Sequence, residues 1–143
     1  MKKSVKIILI IVLVGILGVG GYILYVFTKA PAEASNLKPD IIIDATKFFS
    51  TYEEDEEAAN KVYLDKLIQV EGKVAEIFAN NAGELNIILK EEGGFAGVSC
   101  SFIPKEQEKL AKLIAGDHVK IKGFCTGMLM DVVLNRCVLV NED

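Results

Sequence analysis

The chain has 143 residues, 51% apolar and 25% charged, with a net charge of −4 at neutral pH. That length suits about one domain, and that balance excludes wholesale disorder, collagen-like repeats and a disulfide-dense miniprotein. The mean hydropathy of +0.34 is carried largely by residues 7–27, so a membrane segment joined to one small domain fits better than a uniformly apolar globule.

Lys2, Lys3 and Lys6 precede 21 residues, Ile7 to Phe27, that carry no charge. A helix of that length, at about 1.5 Å per residue, spans about 30 Å, the thickness of a bilayer's hydrocarbon core. Tyr22 and Tyr25 lie near its far end, where amphipathic rings favour the interface. Three lysines before the span against Lys29 just after it predict a single pass through the cytoplasmic membrane, N-terminus inside and C-terminus outside. Ala30-Pro31-Ala32 and Ala32-Glu33-Ala34 have the small-x-small spacing of a signal-peptide cleavage site. The apolar run nevertheless exceeds the roughly 7–15 residues of a signal peptide, which favours an uncleaved anchor. No cysteine occurs before Cys100, so lipid attachment at an N-terminal cysteine is excluded. The expected organisation is a cytoplasmic 1–6, a transmembrane signal-anchor 7–27, a linker 28–43 with Pro31 and Pro39, and a domain over 44–143.

Ile41-Ile42-Ile43 interrupts the linker and is expected to dock on the domain as a short extended piece. Asp44 can cap a helix over 45–53 with Phe48, Phe49 and Tyr52 on its apolar face. A second short helix, over about 54–61, opens with acidic Glu54-Asp55-Glu56-Glu57 at the end the dipole favours. That acidic run lacks the glycine turn and ligand spacing of a calcium loop and reads as a solvated helix start. From Leu67 the period changes to two: Ile68, Val70, Gly72 and Val74 alternate with Gln69, Glu71 and Lys73. After the turn Asn80-Asn81-Ala82-Gly83 a second strand carries Leu85, Ile87 and Leu89. Ala96, Val98, Cys100 and Phe102 mark the inward face of a third. Pro104 opens a helix whose stripe is Leu110, Leu113 and Ile114, ended by Gly116. Val119, Ile121, Gly123 and Cys125 mark a fourth strand, and 131–140 a fifth with a bulge at Asn135-Arg136.

Five strands with one helix between the third and fourth is the order of an OB-fold, a five-stranded Greek-key barrel. The predicted fold class is therefore an N-terminal transmembrane helix plus an OB-fold β-barrel preceded by short helices. Several segments also carry a resemblance. They are Tyr52-Glu53-Glu54-Asp55-Glu56-Glu57-Ala58-Ala59 with Tyr63, then Val70-Glu71-Gly72-Lys73-Val74 and Val98-Ser99-Cys100-Ser101-Phe102. Val119-Lys120-Ile121-Lys122-Gly123-Phe124-Cys125-Thr126-Gly127 and Val132-Val133-Leu134-Asn135-Arg136-Cys137 follow in the same order. The stretch from about Ala45 to Val140 resembles the tRNA-anti-like family of small bacterial OB-fold proteins, found on lipoproteins or membrane-anchored proteins. The resemblance implies the fold and brings no catalytic residues; here the membrane span would replace the lipid.

Four of the 16 basic residues precede residue 30 while all 20 acidic ones follow it, which leaves 30–143 at −8. Such a domain lacks the basic footprint that gives nucleic-acid binders most of their non-specific affinity. The face of the second and third strands that OB-folds use for oligonucleotides would show Asn86, Ile88, Lys90, Gly97, Ser99 and Ser101, with no aromatic and one lysine. Lys90, Lys120 and Lys122 are the residues an oligonucleotide-binding alternative would need. Gly127-Met128-Leu129-Met130 joins the last two strands at a rim many OB-folds use for ligands. Two of its apolar side chains either fold over the barrel end as core or stay out as a contact surface. Met128, Leu129 and Met130, with Asn80 and Asn81, form the expected contact surface. Cys100, Cys125 and Cys137 all point inward, and Cys100 with Cys137 is the pair placed to bridge. His118 is the only histidine, and the chain lacks zinc-ligand spacing. No nucleophile–base pair, phosphate loop or carboxylate pair stands out. The expected role is non-catalytic binding of a protein or small polar ligand in the cell envelope, with no cofactor and no metal.

Overall fold

The computed structural model describes residues 2–28 and 33–141, in two compact units divided after Ala32. The first is a single α-helix, α1 (Lys3–Thr28), 26 residues long and apolar enough to cross a membrane, with none of its residues buried. Residues 29–32 of the expected linker lie outside the described residues.

The second unit is a closed barrel. Its strands are β1 (Ile41–Asp44), β2 (Leu67–Ala79), β3 (Leu85–Leu89), β4 (Val98–Phe102), β5 (His118–Met128) and β6 (Val132–Leu139). The sheet runs β1-β2-β3-β4-β6-β5, and a further β2–β5 pairing closes it. The 13-residue β2 makes closure possible, because its first half pairs with β5 and its second half, beyond a bulge at Val74/Glu76, pairs with β3. Among the five strands that close, β2 to β6, β4 and β6 are parallel and every other pairing is antiparallel, which is the Greek-key signature of an OB-fold. Val70, Val74, Ile87, Leu89, Val98, Ile121 and Leu134 fill the interior.

Two helices precede β2: α2 (Ala45–Glu54) and α3 (Glu56–Tyr63). Asp44 caps the first, its carboxylate accepting from Thr46 N at 2.9 Å and Lys47 N at 3.3 Å. Asp55 caps the second by accepting from Ala58 N at 3.0 Å. The caps fix where each helix starts and turn Phe48, Tyr52 and Tyr63 onto the barrel, with Phe48 edge-on to Tyr52 at 5.6 Å and to Tyr63 at 5.0 Å. From Glu33 onward the stretch expected as linker is docked. Ala34 is buried against Leu67 and Val138, and β1 pairs parallel with β2 from Ile41↔Ile68 to Asp44↔Glu71. Asp40 secures the entry, its carboxylate accepting from Leu67 N at 2.9 Å.

The segment between β4 and β5 departs from expectation. In place of a helix running to Gly116 there is a 3-10 turn, Pro104–Glu106, and one helical turn, α4 (Gln107–Leu110). The helical ladder ends when Lys112 N and Leu113 N bond three residues back, to Lys109 O and Leu110 O, and the Asp117 carboxylate then accepts from Ile114 N at 2.9 Å and ties that residue into a turn. Leu110 and Leu113 still pack inward, whereas Ile114, expected on the apolar stripe, is 68% exposed. The expected bulge is present: between Leu134 and Cys137 β6 holds one residue more than β4 or β5 opposite it, and Arg136 there has φ 52°. Gly123 lies across from it, where a Cβ would strike the Cys137 sulfur.

Candidate functional site

Parallel β4 and β6 begin side by side, Val98 opposite Val132, so the loops that feed them emerge at one end of the barrel. Gly97 N donates to the Asp131 carboxylate at 2.8 Å, Val132 N donates to Gly97 O at 3.0 Å, and Leu129 N donates to Asp131 O at 3.1 Å. These bonds clasp the 90–97 loop to the 129–131 loop. Gly97 is required at the clasp, because a Cβ there would collide with the backbone oxygen of Leu89.

Phe95 is 103% exposed, Leu129 90% and Met130 77%, all on the clasped loops. Of the three apolar residues expected at this rim, only Met128 packs against the core. The reading in which two of them fold over the barrel end is thus corrected: the bond from Leu129 N to Asp131 O closes a turn that leaves Leu129 and Met130 at its tip before the chain re-enters the barrel at Val132. Exposed Glu91 and Glu92 precede Phe95 on its loop. Phe95 was not among the expected contacts. The signal for it lies in Gly93-Gly94-Phe95-Ala96-Gly97, where small neighbours have no side chain long enough to cover a ring.

Asn80 and Asn81 do not join this surface. They turn β2 into β3 at the far end of β3 from Leu89 and Val98, and Asn80 holds that turn. Its Oδ1 accepts from Ala82 N at 2.9 Å and Glu84 N at 3.0 Å, and its Nδ2 donates to Glu84 at 3.0 Å. The three lysines are likewise not brought together. Lys122 donates to Leu37 O at 3.0 Å and Ser35 O at 3.4 Å, Lys120 sits opposite Glu71, and β2 lies between these two and Lys90. On the face expected to be open, Asn86 and Gly97 are buried.

Cys100, Cys125 and Cys137 are free thiols in the barrel interior. Cys125 Sγ lies 3.2 Å from the Tyr52 hydroxyl, and Cys137 donates to Leu134 O at 3.4 Å. Burial, reinforced by the neighbouring Cys100 thiol, pushes the Cys137 thiol well above its ordinary range, which makes it a poor nucleophile. Burial and the bond to Cys125 raise Tyr52 in the same direction. Among the described residues no three His, Cys, Asp or Glu side chains are grouped to hold a metal ion.

Barrel, helices and N-terminal segment together match the tRNA_anti-like family over residues 1–139. The chain belongs to the tRNA_anti-like family. Among solved structures it is similar to a lipoprotein from Klebsiella pneumoniae subsp. pneumoniae whose name proposes nucleic-acid binding. The two share 16% identity and superpose with a TM-score of 0.56, covering 68% of this chain and 91% of that one. No curated protein matches the chain. At that identity the structural likeness speaks for the OB-fold alone, as the β4–β6 topology does independently.

Proposed function

We propose that the chain is a membrane-anchored binding module. Residues 7–27 cross the cytoplasmic membrane with Lys2, Lys3 and Lys6 inside, and the OB-fold domain docks on a protein outside it through Phe95, Leu129 and Met130. The observation that carries this reading is the clasp, which holds three large apolar side chains in solvent on ordered loops. Scattered apolar exposure is ordinary, but side chains raised together on joined loops are the mark of an interaction site. The partner offers an apolar recess with a basic rim, complementary to Glu91, Glu92 and a domain at −8. The same acidic rim opposes insertion into an anionic lipid surface.

Photoreactive phenylalanine at Leu129 or Met130 of the full chain, expressed in its own cells, tests this. The expected result is one discrete protein adduct at both positions, absent at exposed Ile114 and lost when Glu91 and Glu92 are changed to Lys. Lipid adducts alone, or the same adducts at Ile114, overturn it.

A second reading, oligonucleotide binding, is favoured by the name of the Klebsiella protein. Dispersed lysines and the charge of −8 weigh against it. Titration of the full chain with single-stranded DNA and RNA at low salt separates the two. Saturable binding that weakens steeply with salt would promote the oligonucleotide reading over protein docking.

A further inference from the structure

A second feature lies elsewhere on the barrel. Where β4 ends, β5 passes and β6 bulges, a cleft of about 640 Å³ opens, floored by Phe102, Ile103 and Phe124. That volume falls in the range of small-molecule sites, about 300–1,000 Å³. Two charged residues stand on its walls, Asp65 from the turn before β2 and Arg136 from the β6 bulge. They are the two non-glycine residues with positive φ among the described residues, 62° and 52°. Such backbone is costly for a residue with a side chain, and it concentrates at functional sites.

Arg136 is also the sole arginine of the chain. Its guanidinium stacks 4.3 Å from the centre of the Phe124 ring, which orients the plane and leaves the in-plane N–H fork free for a carboxylate. Among the described residues neither the Arg136 guanidinium nor the Asp65 carboxylate has a hydrogen-bonded or ion-paired side-chain partner, and the two are not bridged to each other. One cleft thus holds an uncommitted cation, an uncommitted anion and an apolar floor.

We propose that this cleft binds a small zwitterion with an apolar side chain, an amino acid or dipeptide. The carboxylate takes the Arg136 fork, the ammonium takes Asp65, and the side chain lies on Phe102 and Phe124. A ligand of zero net charge is neither drawn nor repelled by a domain at −8, so recognition rests on the matched pair of charges.

Calorimetry on the full chain in detergent micelles tests this with L-phenylalanine, the dipeptide phenylalanyl-alanine, N-acetyl-L-phenylalanine and L-phenylalaninamide. One or both zwitterions are expected to bind saturably, and the tighter tells amino acid from dipeptide. Each blocked compound lacks one charge and is expected to bind at least about tenfold more weakly. Asp65→Asn and Arg136→Asn, which put a residue tolerant of left-handed backbone at each site, are expected to lose binding by a similar factor with the thermal midpoint kept. No saturable binding of either zwitterion, or equal binding of the blocked compounds to the unaltered chain, overturns the proposal whether or not the variants fold.

Discussion

Glu106 is the one carboxylate buried among the described residues. Its two oxygens are both used, one accepting from Leu139 N at 2.9 Å and the other from Lys109 at 3.0 Å, so it pins the turn before α4 to the end of β6. Glu106→Ala leaves the Leu139 N–H without its acceptor and is expected to cost about 1–3 kcal/mol in chemical denaturation. Glu106→Gln keeps an oxygen for that bond and is expected to cost less. Gly97 makes the opposite kind of demand, for the absence of an atom. Gly97→Ala drives a methyl into the Leu89 carbonyl and is expected to destabilise the domain by about 3 kcal/mol. It should also abolish the Leu129 photoadduct, since the clasp runs through Gly97. Neither role is legible in the sequence, because a glycine in a glycine-rich turn and a glutamate in a charged helix start look the same whether they are required or incidental.

Elements were legible where the local signal and the tertiary demand agree. Asp44 stands directly before an aromatic-faced helix and caps it; the second helix, expected from Glu54, starts instead at Glu56, because Asp55 serves as its cap and Glu54 ends the helix before it. The lapse of alternation at Asn135-Arg136 announced the bulge that is there. Where the backbone ladder tightens the reading failed: Lys112 and Leu113 bond three residues back, Asp117 takes the Ile114 N–H beyond them, and a stretch with helical periodicity becomes one turn of α4. Strands β4, β5 and β6 bury the three thiols completely, so a bulky thiol reagent at pH 8 is expected to modify none in the folded chain. The count after unfolding without reductant is expected to be three, where the Cys100–Cys137 bridge the sequence allows would leave one. Because burial raises Cys137 above its ordinary value of 9.0, the unfolded chain ionises first. The stability this group contributes is present below about pH 9 and lost as pH rises beyond it, so the thermal midpoint is expected to be level through neutral pH and to fall in alkali.

For the molecule as a whole, order of elements and hydropathy were the readable quantities. Strand order alone points to the Greek-key barrel, and the β4–β6 pairing bears it out. The two candidate surfaces were less legible, because each is assembled from segments distant in sequence: 90–97 with 129–131 at the clasp, and 65 with 124 and 136 at the cleft. Only parallel pairing and barrel closure bring those segments together. The lysine asymmetry about α1 leads to one further expectation. Alkaline phosphatase fused after residue 141 of the full chain should be active and β-galactosidase at the same point inactive, and the reverse pattern would place the domain inside.

The joined loops also bear on kinetics. A flexible tip must be ordered as it docks, and that loss of freedom slows capture and weakens the complex. Here Asp131 and Gly97 have already fixed the backbone beneath Phe95, Leu129 and Met130. On the proposed docking, encounter with a partner is then a single collision between finished shapes. Observed rates should rise in proportion to partner concentration, without the plateau that a folding or closing step imposes.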